Sequence, residues 1–241
     1  DTSKYDVTLF EKNKTLGRKF LVAGDGGLNL THSESSAQLS NRYVPKDFIL
    51  PALEQFSNRD FINWLNSIGV ETFVGTSKRI FPKKGIKPID VLSLIIDKIK
   101  QNSVEIKTEF IWKGFDGHDL IFENENQKRI VKSDITVYAL GGKSWKITGS
   151  AGDWLHFFSE KGILINSFYP SNCAYKINWP ESIVKQISGK PLKNCVFTCD
   201  DKSIKGEVVL TEFGIEGSGV YPLSLQIRKQ IIENKQATIF I

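Results

Sequence analysis

The chain of 241 residues has no methionine and only three cysteines. Cys173, Cys195 and Cys199 are odd in number and form no regular framework. That excludes a small disulfide-built module and leads to the expectation of reduced thiols in the cytoplasm. Cys195 and Cys199 are one thiol short of a zinc site. His32, His118 and His156 stand at no ligand spacing from them, so no metal is expected. No run approaches the ~18 apolar residues of a membrane span. The first residues carry neither the charged nor the apolar region of a signal peptide. No Ser/His/Asp or Cys/His constellation for nucleophilic catalysis is readable. The net charge is +5, but lysines and acids are interspersed. Without a basic block or a basic helix interleaved with aromatics, nucleic acid is not expected as a partner.

What is present is a soluble globular composition, 40% hydrophobic and 24% charged, long enough for one large or two ordinary domains. Its organising stretch runs over residues 6–32. Val7-Thr8-Leu9-Phe10 is a strand-forming run that stops at an acid, Glu11. In doubly wound dinucleotide folds an acid at such a strand end takes a ribose 2′-OH. Gly24, Gly26 and Gly27 fall within four positions and permit close backbone approach to a ligand.

The remaining chain reads in order. A helical stretch spans residues 48–66 with a polar break at Ser57-Asn58-Arg59, and a short strand covers 70–74. Arg79-Ile80-Phe81-Pro82 crosses into a lysine turn, and Pro88 opens a strongly apolar helix ending near Asn102. Three strands are expected at 104–112, 119–123 and 128–140, the last continuously apolar from Ile135 to Leu140 as if buried on both faces. Gly141 and Gly142 end it, where ligands sit in open α/β sheets. Thr148-Gly149-Ser150-Ala151-Gly152 is a second small-residue turn before a helix over 154–161, whose start would either face an anion or merely be capped by Ser150 or Asp153. Beyond a short strand at 162–165 the pattern becomes β-rich, with strands expected at 174–179, 192–198, 204–211 and 237–241 and a helix at 224–234.

Taken together, GRKFLVAGDGGLNLTHSE, RIFPKKG, YALGGKSWKITGSAGDW, YPSNCAYKINW, GKPLKN and LTEFGIEGSGVYPLS resemble one family. It is the bacterial NAD(P)/FAD-dependent oxidoreductases, aminoacetone-oxidase-like flavoproteins of the glutathione-reductase-type FAD superfold. The resemblance spans nearly the whole chain. It implies an α/β, three-layer FAD/NAD(P)-binding fold with a β-meander over residues 1–166, and an inserted, β-rich substrate domain over 167–241. It also implies a preceding strand with a GxGxxG turn and a further segment after Ile241, so the chain is expected to be truncated at both ends.

The resemblance implies FAD as cofactor, a small-molecule substrate with NAD(P)H as a possible donor, and no membrane partner; it leaves the oligomeric state open. Glu11 would meet the adenosine ribose, with Lys12 and Lys19 as adenosine or phosphate partners or simply solvated side chains. Gly24, Gly26, Gly27, Asn29 and Thr31 would run along the flavin, although Asn29 serves equally as an Asx turn. Ile106 would offer backbone hydrogen bonds to adenine, and Gly141, Gly142, Thr148, Gly149 and Gly152 would form the opposite wall. Gly27-Leu28 stands where another branch of the family has Arg-Cys, so thiol chemistry is not expected there. His32 is either an acid–base residue beside the flavin or a surface loop histidine. Tyr221, Asn172 and Cys173 are candidate pocket residues. Two other readings stay open: a fragment or scaffold that binds no FAD, and an NAD(P)-linked Rossmann dehydrogenase, against which the meander at 104–140 argues.

Overall fold

The computed structural model describes residues 4–23 and 27–241, which divide into two compact units, Asp1–Ile165 and Asn166–Ile241. The first unit begins with β1 (Thr8–Phe10) and α1 (Arg18–Ala23), followed by β2 (Thr31–His32), α2 (Ser36–Ser40), α3 (Lys46–Gln55) and α4 (Asn58–Ser67). Then come β3 (Thr72–Val74), β4 (Arg79–Pro82), α5 (Pro88–Gln101), β5 (Glu105–Lys107), β6 (Ile111–Asp116), β7 (Asp119–Glu123), β8 (Lys128–Val131) and α6 (Leu155–Glu160). β1 and β5 pair in parallel, with Leu9 opposite Ile106, and α5 supplies the connection into β5. Strand, helical crossover and parallel strand are the elements of a Rossmann unit.

Residues 48–66 form two helices rather than one, and the reason is local. Ser57 caps α4: its side chain accepts from Asp60 N–H, while the Asp60 carboxylate accepts from Ser57 N–H. This reciprocal box starts a new helix where the polar break stood. Leu65, Val70, Val91 and Leu28 are buried together between α4, α5 and the start of β2. β2, β4 and β3 form a small antiparallel sheet beside them, with His32 opposite Arg79.

The expected strand over 104–112 is also two. Glu109 adopts a left-handed backbone (φ 64°) between β5 and β6, with its N–H donated to Asn13 O at 3.2 Å. The chain thereby leaves the parallel pair and turns into the β6–β7–β8 meander. One face of that meander carries Phe110, Trp112, Leu120 and Phe122 into an aromatic core completed by Phe10, Phe115, Phe157 and Phe158. The strand expected to continue to Leu140 stops at Val131, and Ile135 and Val137 remain 69% and 85% exposed. A strand buried on both faces needs two hydrogen-bonded neighbours, and this segment pairs with no strand among the described residues. Residues 162–165 likewise form no strand, and Leu164 is exposed.

The second unit carries β9 (Tyr175–Lys176), α7 (Glu181–Ile187), β10 (Pro191–Cys199), β11 (Lys202–Thr211), β12 (Gly214–Glu216) and α8 (Ser224–Asn234). Its antiparallel sheet has the order β10-β11-β12-β9, and Ile227 of α8 packs with Phe197, Val208, Ile215 and Leu223 in a fully buried core. Gly214–Glu216 is a strand of this sheet, because Thr211 and Gly214 pair directly across a two-residue hairpin. The strand expected at 237–241 is reduced to one bridge, Phe240 to Thr198.

Candidate functional site

In the first unit a cleft of about 720 Å³ opens where β1 ends. One wall is Glu11, Lys12, Asn13 and the start of α1; the other is the strap 139–157; the floor is Phe10, Phe110, Trp112 and Phe122. The floor is built from paired rings. Phe10 stacks on Phe122 at 3.9 Å with 13° between planes, and Phe110 meets Phe10 edge-on at 5.8 Å. Four cations, Lys12, Arg18, Lys19 and Lys113, line it against two acids, Glu11 and Asp153. An apolar floor under a positive rim suits a planar, anionic ligand.

The strap is knitted internally. Ser150 Oγ donates to Gly142 O at 3.0 Å, Thr148 Oγ1 to Trp145 O at 2.9 Å, and Trp154 Nε1 to Gly141 O at 3.1 Å. It is also tied across the cleft by two lysines. The Lys12 ammonium donates to Gly149 O, and that of Lys19 to the Ser144 and Ser150 hydroxyls. Glu11 turns one carboxylate oxygen inward, where Oε1 accepts from Asn13 N at 2.8 Å and Asn13 Nδ2 at 2.6 Å. Its Oε2 has no hydrogen-bond donor among the described residues.

The structure thus brings Glu11, Lys12 and Lys19 together with Gly141, Thr148, Gly149 and Gly152. Gly142 contributes its carbonyl to the strap's internal bonding. Ile106 pairs with Leu9 in the parallel ladder and does not line this cleft. Gly27, Asn29 and Thr31 are not among its lining residues either. They lead into β2, where Gly27 lies against the Phe81 ring and Thr31 pairs with Ile80. Gly24 and Gly26 lie outside the described residues. Sequence reasoning missed the aromatic floor: Phe110, Trp112 and Phe122 fell within expected strands and were given no part in the site. The available signal was the coincidence of large rings on one face of two adjacent strands with Phe10 at the preceding strand end.

The cleft fits the nucleotide part of a dinucleotide cofactor. Trp112 Nε1 is a buried donor with no acceptor among the described residues, a group that costs free energy until an acceptor reaches it. Ring faces, two ammonium groups and a free carboxylate oxygen supply what a base, phosphates and ribose hydroxyls require.

A second cluster stands on the β2 side. The Glu34 carboxylate accepts from Arg42 Nε at 2.7 Å and Arg42 Nη2 at 2.5 Å, and its Oε2 lies 3.4 Å from His32 Nδ1. The Arg42 guanidinium, with smaller contributions from His32 and Lys78, holds Glu34 below the usual carboxylate range. Asn58, the first residue of α4, donates to the carbonyls of both His32 (2.6 Å) and Glu34 (2.7 Å). His32 is therefore a strand residue with a 15% exposed side chain, rather than a surface loop histidine.

In the second unit, Tyr175 is pushed up to about 12, chiefly by burial, and burial also raises the Cys199 thiol. Neither is poised for acid–base or thiolate chemistry near neutral pH. No helix among the described residues is long and apolar enough to cross a membrane.

Comparison with known proteins extends across both units. The chain is 23% identical over 244 residues to a 3-dehydro-bile acid delta(4,6)-reductase of Clostridium scindens, covering 97% of this chain and 57% of that protein. It is 21% identical over 228 residues to a ribosomal RNA dihydrouridine synthase of Haemophilus influenzae, covering 90% of this chain and 55% of that protein. The chain thus spans a little over half the length of these relatives. The second name removes support for the expectation that nucleic acid is no partner, since that relative is named for acting on RNA. With the HI0933-like protein Rossmann domain matching residues 1–231, the chain belongs to the HI0933-like family, an FAD-binding oxidoreductase type.

Proposed function

We propose that the chain is the cofactor-binding and part of the substrate-binding portion of an FAD-dependent oxidoreductase. Its reaction is the saturation of a carbon–carbon double bond conjugated to a carbonyl. The observation that carries this reading is the positively rimmed, aromatic-floored cleft in which Glu11, Lys12 and Lys19 meet Gly141, Thr148, Gly149 and Gly152. Glu11 Oε2 takes the adenosine ribose, Lys12 and Lys19 face the phosphates, and Trp112 donates to the base. Gly24, Gly26, Gly27, Asn29 and Thr31 run along the flavin. Residues 1–166 hold the cofactor, and 167–241 form an inserted β-rich substrate domain.

The choice of bond rests on the relatives' names. A 3-dehydro-bile acid with Δ4,6 unsaturation and a uridine ring share one chemical element, a C=C in conjugation with a C=O. A bound flavin supplies the hydride for such a reduction, and NAD(P)H is its donor. The chain's own contribution is to orient the substrate and keep the cleft dry.

Protein purified with the whole flavin site should absorb near ~450 nm, as flavin electronics require. Glu11→Ala should weaken FAD retention; unchanged affinity removes the ribose assignment, and a colourless whole protein favours a scaffold. Stopped-flow reoxidation of the reduced protein by a 3-keto-Δ4,6 steroid or by uridine-containing RNA tests the bond type. A second reading, an RNA substrate, is favoured by Lys78, Arg79, Lys83, Lys84 and Lys87, five cations with no acid among residues 78–87. RNA binding whose affinity falls steeply with salt would distinguish it.

A further inference from the structure

We infer that His32 is the proton donor of this reduction, held for that role by Glu34 and Arg42 as positioning residues. The inference rests on the reading just proposed, and its geometry stands apart from the cleft. His32 Nδ1 sits between two atoms of one residue, 3.3 Å from Glu34 N and 3.4 Å from Glu34 Oε2. With Nδ1 bare, it accepts from Glu34 N–H. With Nδ1 protonated, it donates to Glu34 Oε2. In the second state the ring keeps its Nδ1 proton and its orientation whether or not Nε2 carries one, which is what a side chain that gains and loses a proton at Nε2 needs.

The partner is itself fixed. Arg42 grips both Glu34 oxygens, so the carboxylate stays ionised and aimed at Nδ1. Asn58 clamps the backbone carbonyls on either side of the turn. Nε2 makes no hydrogen bond among the described residues and is the atom left for chemistry. The other charged groups around the cluster are Lys78 in the turn before β4, which acts on Glu34, and Arg79, the cross-strand partner of His32. His32 follows directly on Gly27–Thr31, the stretch assigned above to the flavin.

The step balances as follows. A bound flavin, reduced by NAD(P)H, would supply the hydride that bonds to the β-carbon, and the π pair of the C=C would move to the α-carbon. The α-carbon takes the proton from Nε2 of the doubly protonated His32 ring, whose N–H pair stays on nitrogen. The ring is left as the Nδ1–H tautomer, donating to Glu34 Oε2, and water returns a proton to Nε2.

The test separates two half-reactions. In His32→Gln, flavin content and reduction by NAD(P)H should match the unsubstituted protein, while reoxidation by the conjugated substrate slows ~10²- to 10⁴-fold, the usual range for a lost general acid. Imidazole should restore His32→Ala in part. Glu34→Gln should slow reoxidation less and Arg42→Lys least. A second readout needs no flavin: in the ¹⁵N-labelled 241-residue chain, Glu34→Gln should move the His32 Nδ1 resonance and leave those of His118 and His156 in place. If no conjugated substrate reoxidises the unsubstituted protein, the bond assignment fails. If one does, and His32→Gln reoxidises within about twofold of it, or the Nδ1 resonance does not move, the role given to His32 is overturned.

Discussion

Gly149→Ala perturbs the strap at its tightest point. Gly149 closes the short 3-10 helix at Lys146–Thr148 in a left-handed conformation, φ 85° and ψ 4°, with its N–H donated to Lys146 O at 2.9 Å. A Cβ there would lie 3.0 Å from Lys12 Cε and 3.3 Å from Lys12 Nζ. Those atoms are the far end of a flexible side chain and can move aside. The cost therefore comes almost wholly from the backbone, about 1–2 kcal/mol for an L-residue held left-handed. In a chain of this size that lowers the melting temperature by roughly 2–8 °C. Thermal unfolding followed by circular dichroism reads it, with Gly149→Asn as the decisive control. Asparagine is larger than alanine but tolerates this region, so the order of stability should be glycine, then asparagine, then alanine. If asparagine proves worse than alanine, sterics governs the position and the conformational reasoning is refuted.

Gly219→Ala should cost the second unit about 1–3 kcal/mol by overpacking, because the new Cβ would sit 2.5 Å from two ring carbons of the buried Phe197; urea unfolding measures this, and Phe197→Leu in the same chain should recover part of it. Arg42→Leu should lower stability by roughly 0.5–1 kcal/mol at neutral pH. Glu34 titrates lower folded than unfolded, so its contribution is present above its unfolded range and is lost as pH falls through the folded one. The gap between Arg42→Leu and the unsubstituted chain should therefore close in acid, as denaturant titrations at several pH values would show. Trp112→Phe keeps the aromatic floor but removes the orphan donor, so apo stability should hold or rise while adenine-nucleotide affinity falls roughly fivefold or more, the worth of one hydrogen bond; calorimetry decides it.

Much of this was legible because the signals were local. The Pro88 start and apolar spacing of α5 gave its bounds, and the turn residues flanking the apolar Leu120-Ile121-Phe122 marked β7. The acid after Val7-Thr8-Leu9-Phe10 marked one wall of the cleft, and the small-residue turn at 148–152 marked the other. What was hidden depended on distant partners. Ile135–Leu140 has strand chemistry, yet strands are made by neighbours, and among the described residues none pairs with it. Arg18–Ala23 was assigned no element because its helix is one turn and a half, supported by packing on α5 rather than by periodicity. His32 looked like a loop residue because its partners Glu34, Arg42 and Asn58 reach it only after the chain folds back.

The two lysine ties across the cleft change what a phosphate would gain on arrival. Lys19 already shares its ammonium between the Ser144 and Ser150 hydroxyls, and Lys12 gives its own to a carbonyl. An incoming anion would exchange neutral acceptors for charged ones instead of meeting naked cations. Only the difference between the two sets of bonds would appear in the affinity, and releasing them would slacken the very loop that closes over the newcomer.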